Sequence, residues 1–95
     1  MRWTWHPPKN RKNIREHHLS FETAQLVFDD HLAITVPDPY PDEERLRTVG
    51  VIGGITVLVI HTEPVFDPAT GEEVGRIISA RKATPRERKT YEESH

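Results

Sequence analysis

With 95 residues, 35% hydrophobic and 29% charged, the chain has material for one small core, and the expectation is a single domain over residues 1–95. It contains no cysteine, which excludes disulfides and thiolate metal sites and fits a cytosolic protein. A formal charge of only −2 excludes the long-range steering of a strongly basic nucleic-acid binder.

The near-neutral total hides a pattern: the balance is +4 over residues 1–18, −9 over residues 19–75 and +3 over residues 76–95. Two basic ends that meet in the fold would make a positive face on an acidic body. The N-terminus lacks the apolar run of a signal peptide. The longest charge-free run, Thr48 to Ile60, is interrupted by Gly53-Gly54 and falls short of the about 20 residues that span a bilayer.

In chain order, Trp3-Thr4-Trp5 predicts a short edge strand. Pro7 and Pro8 mark a helix start, because proline is tolerated only in the first turn, and the helix is expected to run to about His18. Because Pro8 disfavours the α region at Pro7, the start is expected one residue late. Ser20 is a natural N-cap for a second helix, in which Phe21, Ala24, Val27 and Phe28 recur at helical spacing and Asp29-Asp30-His31 ends the run. Leu32 to Val36 predicts a strand. Pro37, Pro39 and Pro41, interleaved with Asp38, Tyr40 and Asp42, predict an acidic loop. Arg45–Ile52 and Ile55–Thr62 flank Gly53-Gly54, a two-residue hairpin signal, and Thr56–Ile60 is apolar on both faces, as a central strand is. Glu63–Gly75 predicts a long connection with a turn at Asp67–Gly71, and Arg76–Ala83 the next strand. Thr84, Pro85 and Glu87 then spell a capping box for a final helix. The sum is an α+β fold: a short N-terminal strand, two helices, an antiparallel sheet and a C-terminal helix.

The densest chemistry lies in the last strand-to-helix unit. Alternation assigns Ile77, Ser79, Arg81 and Ala83 to one sheet face and Arg76, Ile78, Ala80 and Lys82 to the other. Arg81 stands at the strand end, where its guanidinium fork suits a phosphate. Glu87 and Tyr91 share a helix face and Arg88 is three residues from Tyr91, although capping explains Glu87 and packing explains Tyr91 equally well. Arg45 and Arg47 share a strand face, where the default reading is solvated edge charge and the alternative is that Arg45 converges with Arg81 on one anion. The six histidines lack metal-binding spacing, and His17-His18 diverge by about 100° on a helix. His17 and His61 remain acid–base candidates, against the reading of each as a hydrogen-bonded, partly buried side chain. Trp3 and Trp5 face one way, toward the core or toward a nucleobase.

These segments resemble the BrnT-type toxins of bacterial type II toxin–antitoxin modules. The resemblance is carried by Trp3-Thr-Trp5-His6-Pro7-Pro8-Lys9, Asn13, His17, Phe21-Glu-Thr-Ala24, Phe28-Asp-Asp30, Arg45 with Gly50, and the unbroken Arg76-Ile-Ile-Ser-Ala-Arg81 to Tyr91 signature. Two positions depart from the family pattern: His6 replaces Asp, removing an N-cap, and His18 replaces Gly at a helix C-terminus. The resemblance implies a RelE-like fold and a metal-independent endoribonuclease without cofactor. In that reaction the ribose 2′-hydroxyl attacks the adjacent phosphate. Arg81 and Arg45 would hold the phosphate, with Lys9, Arg76, Lys82 and Arg88 as supporting RNA-binding charges. His61, Glu87 and Tyr91 compete for the proton-transfer roles. The implied partner is a small BrnA-like ribbon-helix-helix antitoxin, through which operator DNA is bound; no membrane is implied. Two rivals are a catalytically inert toxin-fold module acting through the antitoxin and, with poor ligand spacing, a metal-dependent hydrolase.

Overall fold

The computed structural model describes all 95 residues. Their order is β1 (Arg2–Thr4), α1 (Pro7–His17), α2 (Phe21–Ala24) running into a 3₁₀ turn (Gln25–Asp29), β2 (Ile34–Asp38), β3 (Arg45–Ile52), β4 (Ile55–His61), β5 (Val65–Asp67), β6 (Glu72–Lys82) and α3 (Pro85–Glu93). The architecture is α+β, with one six-stranded sheet ordered β1-β6-β4-β3-β2 and β5 beside β6.

The meander β2-β3-β4 is antiparallel, and its hairpin turns at Gly53 (φ 56°) and Gly54 (φ 84°), the left-handed pair that a tight type I′ connection demands. β4 is central, with Val57, Leu58 and Val59 all buried, as its two-faced apolarity predicts. The sheet is mixed, because β1 adds to β6 in parallel, Trp3 pairing with Gly75. The indole of Trp3 occupies the space that a Cβ on Gly75 would need, so glycine is required there for close approach.

Three local expectations are revised. β2 runs through Pro37 to Asp38, which is allowed because β2 is an edge strand, where a missing N–H can face away from the ladder. The Glu63–Gly75 connection contains β5, and β6 starts at Glu72, so Arg76 sits inside a strand. The first helix starts at Pro7: His6 O accepts from Lys9 N and Asn10 N and closes the first turn, in which neither proline is asked to donate. His6 makes no side-chain cap, and His18 takes the left-handed conformation (φ 55°, ψ 33°).

The core lies between the sheet and α1, α2 and the 3₁₀ turn; Phe21, Ala24, Val27, Val57, Val59, Ile77 and Ala80 form one buried cluster. Ile77 and Ala80 share that face although they differ in parity. The pairing passes from Ile60–Ser79 to His61–Ile77, so β6 carries one extra residue there, a bulge that flips the alternation. The strict alternation expected from the sequence therefore fails across Ile78. Helix α1 docks through amides: its two buried residues are Asn10 and Asn13. Asn13 donates to Ala80 O and Leu19 O (both 2.8 Å) and accepts from Ala80 N (3.2 Å), closing the free edge of β6 like a missing strand.

Candidate active site

The other face of the sheet carries α3. Between the helix and the strands lies a cleft of about 260 Å³ lined by Ile34, Val36, Arg47, Val49, Leu58, Arg86, Glu87, Thr90 and Tyr91. Arg81 pairs directly with Leu58 in the sheet and so stands on this face. Its Nη1 and Nη2 donate to Glu87 Oε1 (2.7 Å) and Oε2 (3.0 Å), a fork-to-fork contact across the strand-to-helix turn. The turn is built as the sequence spells it: Thr84 Oγ1 accepts from Glu87 N, and Glu87 Oε1 accepts from Thr84 N at 2.8 Å. The Arg81 contact, aided by the Thr84 amide, overrides partial burial and holds the Glu87 carboxyl down at about 2. Glu87 in turn raises Arg81 above its ordinary value.

A second basic group lies farther along the same face. Asp38 Oδ2 accepts from Arg45 Nε and Nη2 (3.1 and 2.7 Å), and Oδ1 accepts from Arg47 Nε and Nη2 (3.2 and 2.8 Å). The Asp38 side chain is only 7% exposed. Burial pushes its carboxyl up, but Arg47 and Arg45 outweigh burial and keep it below the usual range. Arg45 also lies over the Tyr40 ring, 3.8 Å from its centroid. Two guanidinium groups thus share one carboxylate, and the pocket that Arg45 lines also carries Asp42, Glu43, Glu44 and Glu63, so its surroundings are acidic. Arg76 is met by Glu43, at 3.1 Å, from the loop before β3.

Arg81 and Arg45 do not converge on one point. Through the row Arg81–Leu58–Val49 they are two strands apart and offset by four residues, about 16 Å at Cα from a strand spacing of about 4.8 Å and a rise of about 3.3 Å. They are separate arginines on one face, with Arg47 between them. Lys9 and Lys82 lie elsewhere: Lys9 lines a groove with Lys12, Glu16, His17 and Ser79, and Lys82 one with His17, Leu19 and Ile55. Arg88 is exposed on α3, 3.5 Å from Glu92.

Two proton-transfer candidates are buried in structural roles. His61 is 2% exposed, edge-on to Trp3 and Phe28. Its Nδ1–H donates to Thr62 O (2.9 Å), which makes Nε2 the acceptor for the Thr48 hydroxyl (2.7 Å). Burial lowers its pKa, against the pull of the Thr62 carbonyl, and neither ring nitrogen is open to a substrate. The Tyr91 hydroxyl donates to Asp30 Oδ2 (2.5 Å); that bond, with burial, pushes the phenol up to about 12 and holds Asp30 down. Asp30 also accepts from Val51 N and Leu32 N, so it ties α3 to the sheet end. Sequence reasoning gave Asp30 and Asp38 no role, since one looked like a helix end and the other like loop charge. The shared parity of Arg45 and Arg47 was the available hint for Asp38. No group of three or more His, Cys, Asp or Glu side chains is arranged to hold a metal ion.

Fold and site together define a small α+β protein that sets arginines, each held by a carboxylate, along one sheet face, equipment suited to a phosphate chain. Residues 5–87 match the family described as the ribonuclease toxin, BrnT, of type II toxin–antitoxin systems, and the chain belongs to that family. It is thereby placed among ribonuclease toxins, which act on RNA and have an antitoxin as partner. A comparison with curated proteins finds no match. No helix is long and apolar enough to cross a membrane.

Proposed function

We propose that the chain is a metal-independent endoribonuclease that inhibits translation by cutting RNA along the α3 face of the sheet, and that a BrnA-like ribbon-helix-helix antitoxin neutralises it and carries the operator DNA contact. The reading rests above all on Arg81, held in a preformed fork by Glu87, which lines the α3 cleft, with Arg47 and Arg45 on the same face. In 2′-hydroxyl attack the pentacoordinate phosphorus carries one more negative charge than the ground state. Guanidinium groups fixed in advance stabilise that charge without reorganising, and no other effect open to such a site accelerates the reaction more. Arg81 takes the scissile phosphate, while Arg47 and Arg45 receive the neighbouring backbone. Lys9, Lys82, Arg76 and Arg88 are left to the longer-range attraction of RNA.

The test is incubation of the purified protein with total RNA in EDTA beside Arg81→Ala. Cleavage that survives chelation and falls by at least about 10²-fold in the variant upholds the reading. Intact RNA from folded wild-type protein, with and without ribosomes, overturns it. The second reading, an inert module acting through the antitoxin, is favoured by one observation: Arg45, Arg47, Arg76 and Arg81 are all already paired with carboxylates. Growth arrest on expression separates the two, because an inert module is harmless.

A further inference from the structure

Resting on the nuclease reading, we infer that Glu87 is a substrate-gated general base: an RNA phosphate that takes the Arg81 fork expels the Glu87 carboxylate, and the freed carboxylate removes the 2′-hydroxyl proton. The Arg81–Glu87 contact is the arrangement an arginine–phosphate contact would have, with a carboxylate in the place of two phosphate oxygens. The ground-state phosphodiester, a monoanion with two free oxygens, makes the exchange, and the dianionic phosphorane that forms once the 2′ proton has left then holds the fork more tightly than the carboxylate did. Expulsion does not send Glu87 away, because Oε1 is also held by Thr84 N in the capping box. The side chain swings about that anchor, and Oε2 is left facing the group that displaced it. The 2′-oxygen is bonded within the same nucleotide as the phosphate, so the base is delivered where it is needed.

The other proton-transfer candidates leave the role to Glu87, since His61 and Tyr91 are committed inside the fold and His17 lines grooves beside α1, away from the α3 cleft. In the resting protein Glu87 is a poor base, because Arg81 holds it at about 2. Losing that partner removes the largest cause of the depression and raises its basicity toward a catalytic range. The charged groups around it are Arg81 from β6, Arg47 from β3 and Arg86 from its own helix; Tyr91, one turn on, is tied to Asp30. Atoms balance as follows. The 2′-O–H proton passes to Glu87 Oε2, the 2′-oxygen bonds to phosphorus, and the P–O5′ bond breaks. The 5′-oxygen takes a proton from water, and the hydroxide so formed takes the proton from Glu87 as it returns to Arg81. The products are a 2′,3′-cyclic phosphate and a 5′-hydroxyl.

Glu87→Gln separates this gate from a merely structural role, because the amide oxygen still accepts from Thr84 N while the charge that competes for Arg81 is gone. Expected results are a cleavage rate down by about 10²–10⁴-fold and binding of an uncleavable 2′-deoxy oligonucleotide tightened by roughly fivefold or more. The wild-type kcat should also show an acid limb at higher pH than kcat/KM, since only the bound state frees the carboxylate. Arg81→Ala should weaken oligonucleotide binding and remove the difference between the two limbs. Active wild type with a Glu87→Gln variant of equal rate, or one that binds the 2′-deoxy strand no tighter, overturns the gate alone. A wild type that cuts no RNA overturns the gate and the nuclease reading together.

Discussion

Replacing Asn13 by alanine tests whether α1 is held to the sheet by hydrogen bonds. The side chain is 5% exposed and makes three of them: to Leu19 O and Ala80 O, each 2.8 Å, and from Ala80 N, 3.2 Å. Little apolar contact can compensate, since the buried residues of α1 are Asn10 and Asn13 alone. The lost bonds leave both buried backbone groups of Ala80 and the part-buried Leu19 carbonyl without a partner, so at about 1 kcal/mol apiece the change costs about 3 kcal/mol. A domain of this size has a stability of about 5–14 kcal/mol, and each kcal/mol lowers Tm by roughly 4–8 °C. The variant should lose a fifth or more of its stability and melt roughly 12–24 °C lower. Urea unfolding followed by tryptophan fluorescence reports it directly, as Trp3 and Trp5 pack on the core beside α1. Asn13→Asp keeps the shape and the acceptor but has no donor, and it should lose at least as much. A loss below about 1 kcal/mol in Asn13→Ala, with an unchanged urea slope, refutes the argument, because the β6 edge would then find its partners in water.

Tyr91→Phe removes the tether to Asp30 and should cost about 1.5–3 kcal/mol, a charge-assisted bond. In the wild type that stability is complete below the free phenol value of 10.0 and is lost as pH climbs toward about 12, so an alkaline titration of Tm should show a fall that the variant lacks. Glu87 behaves in the opposite sense. Its contribution is present above the free value of 4.5 and disappears as pH falls to about 2. With Arg81 35% exposed and so screened by solvent, about 1–2 kcal/mol should be lost in that window, and acid unfolding of Glu87→Gln should show no such step. Gly75→Ala should destabilise by about 1–3 kcal/mol by driving its methyl into the Trp3 ring, seen as a changed near-ultraviolet circular dichroism of the indole; a variant of native stability and spectrum would mean that β1 shifts freely.

Much of the fold is legible locally. Gly53-Gly54 announces its hairpin, and Thr84-Pro85-Glu87 announces α3 down to the reciprocal capping bonds. Family membership is written along most of the chain, over residues 5–87. Turn and cap chemistry involve residues within four positions of each other, so the sequence contains both partners side by side. His18 shows how far such local rules bind: the chain turns in the left-handed conformation there although its side chain makes that costly, because α1 must end where Asn13 meets the sheet.

The site is another matter, since its geometry is set by strands that meet from distant parts of the chain. The bulge at Ile78 inverts the faces of β6, and no period-two reading of residues 76–83 contains it, because a bulge is a mismatch between two strands. Likewise Asp38 becomes the clamp for Arg45 and Arg47 only once β2 and β3 take the register that sets Asp38 opposite Arg45. His61 passes from acid–base candidate to buried partner of Thr48 when Trp3 arrives on a parallel strand paired more than seventy residues away. By itself the sequence determined the helices, the hairpin, the Ser20 and Thr84 caps, the family and Arg81 with Glu87 at one strand-to-helix turn, since those are mostly properties of neighbours. Which carboxylate meets which arginine, and which titratable groups are shut inside, was decided only by tertiary structure, because charge pairing and burial depend on distances in space that no local spacing fixes.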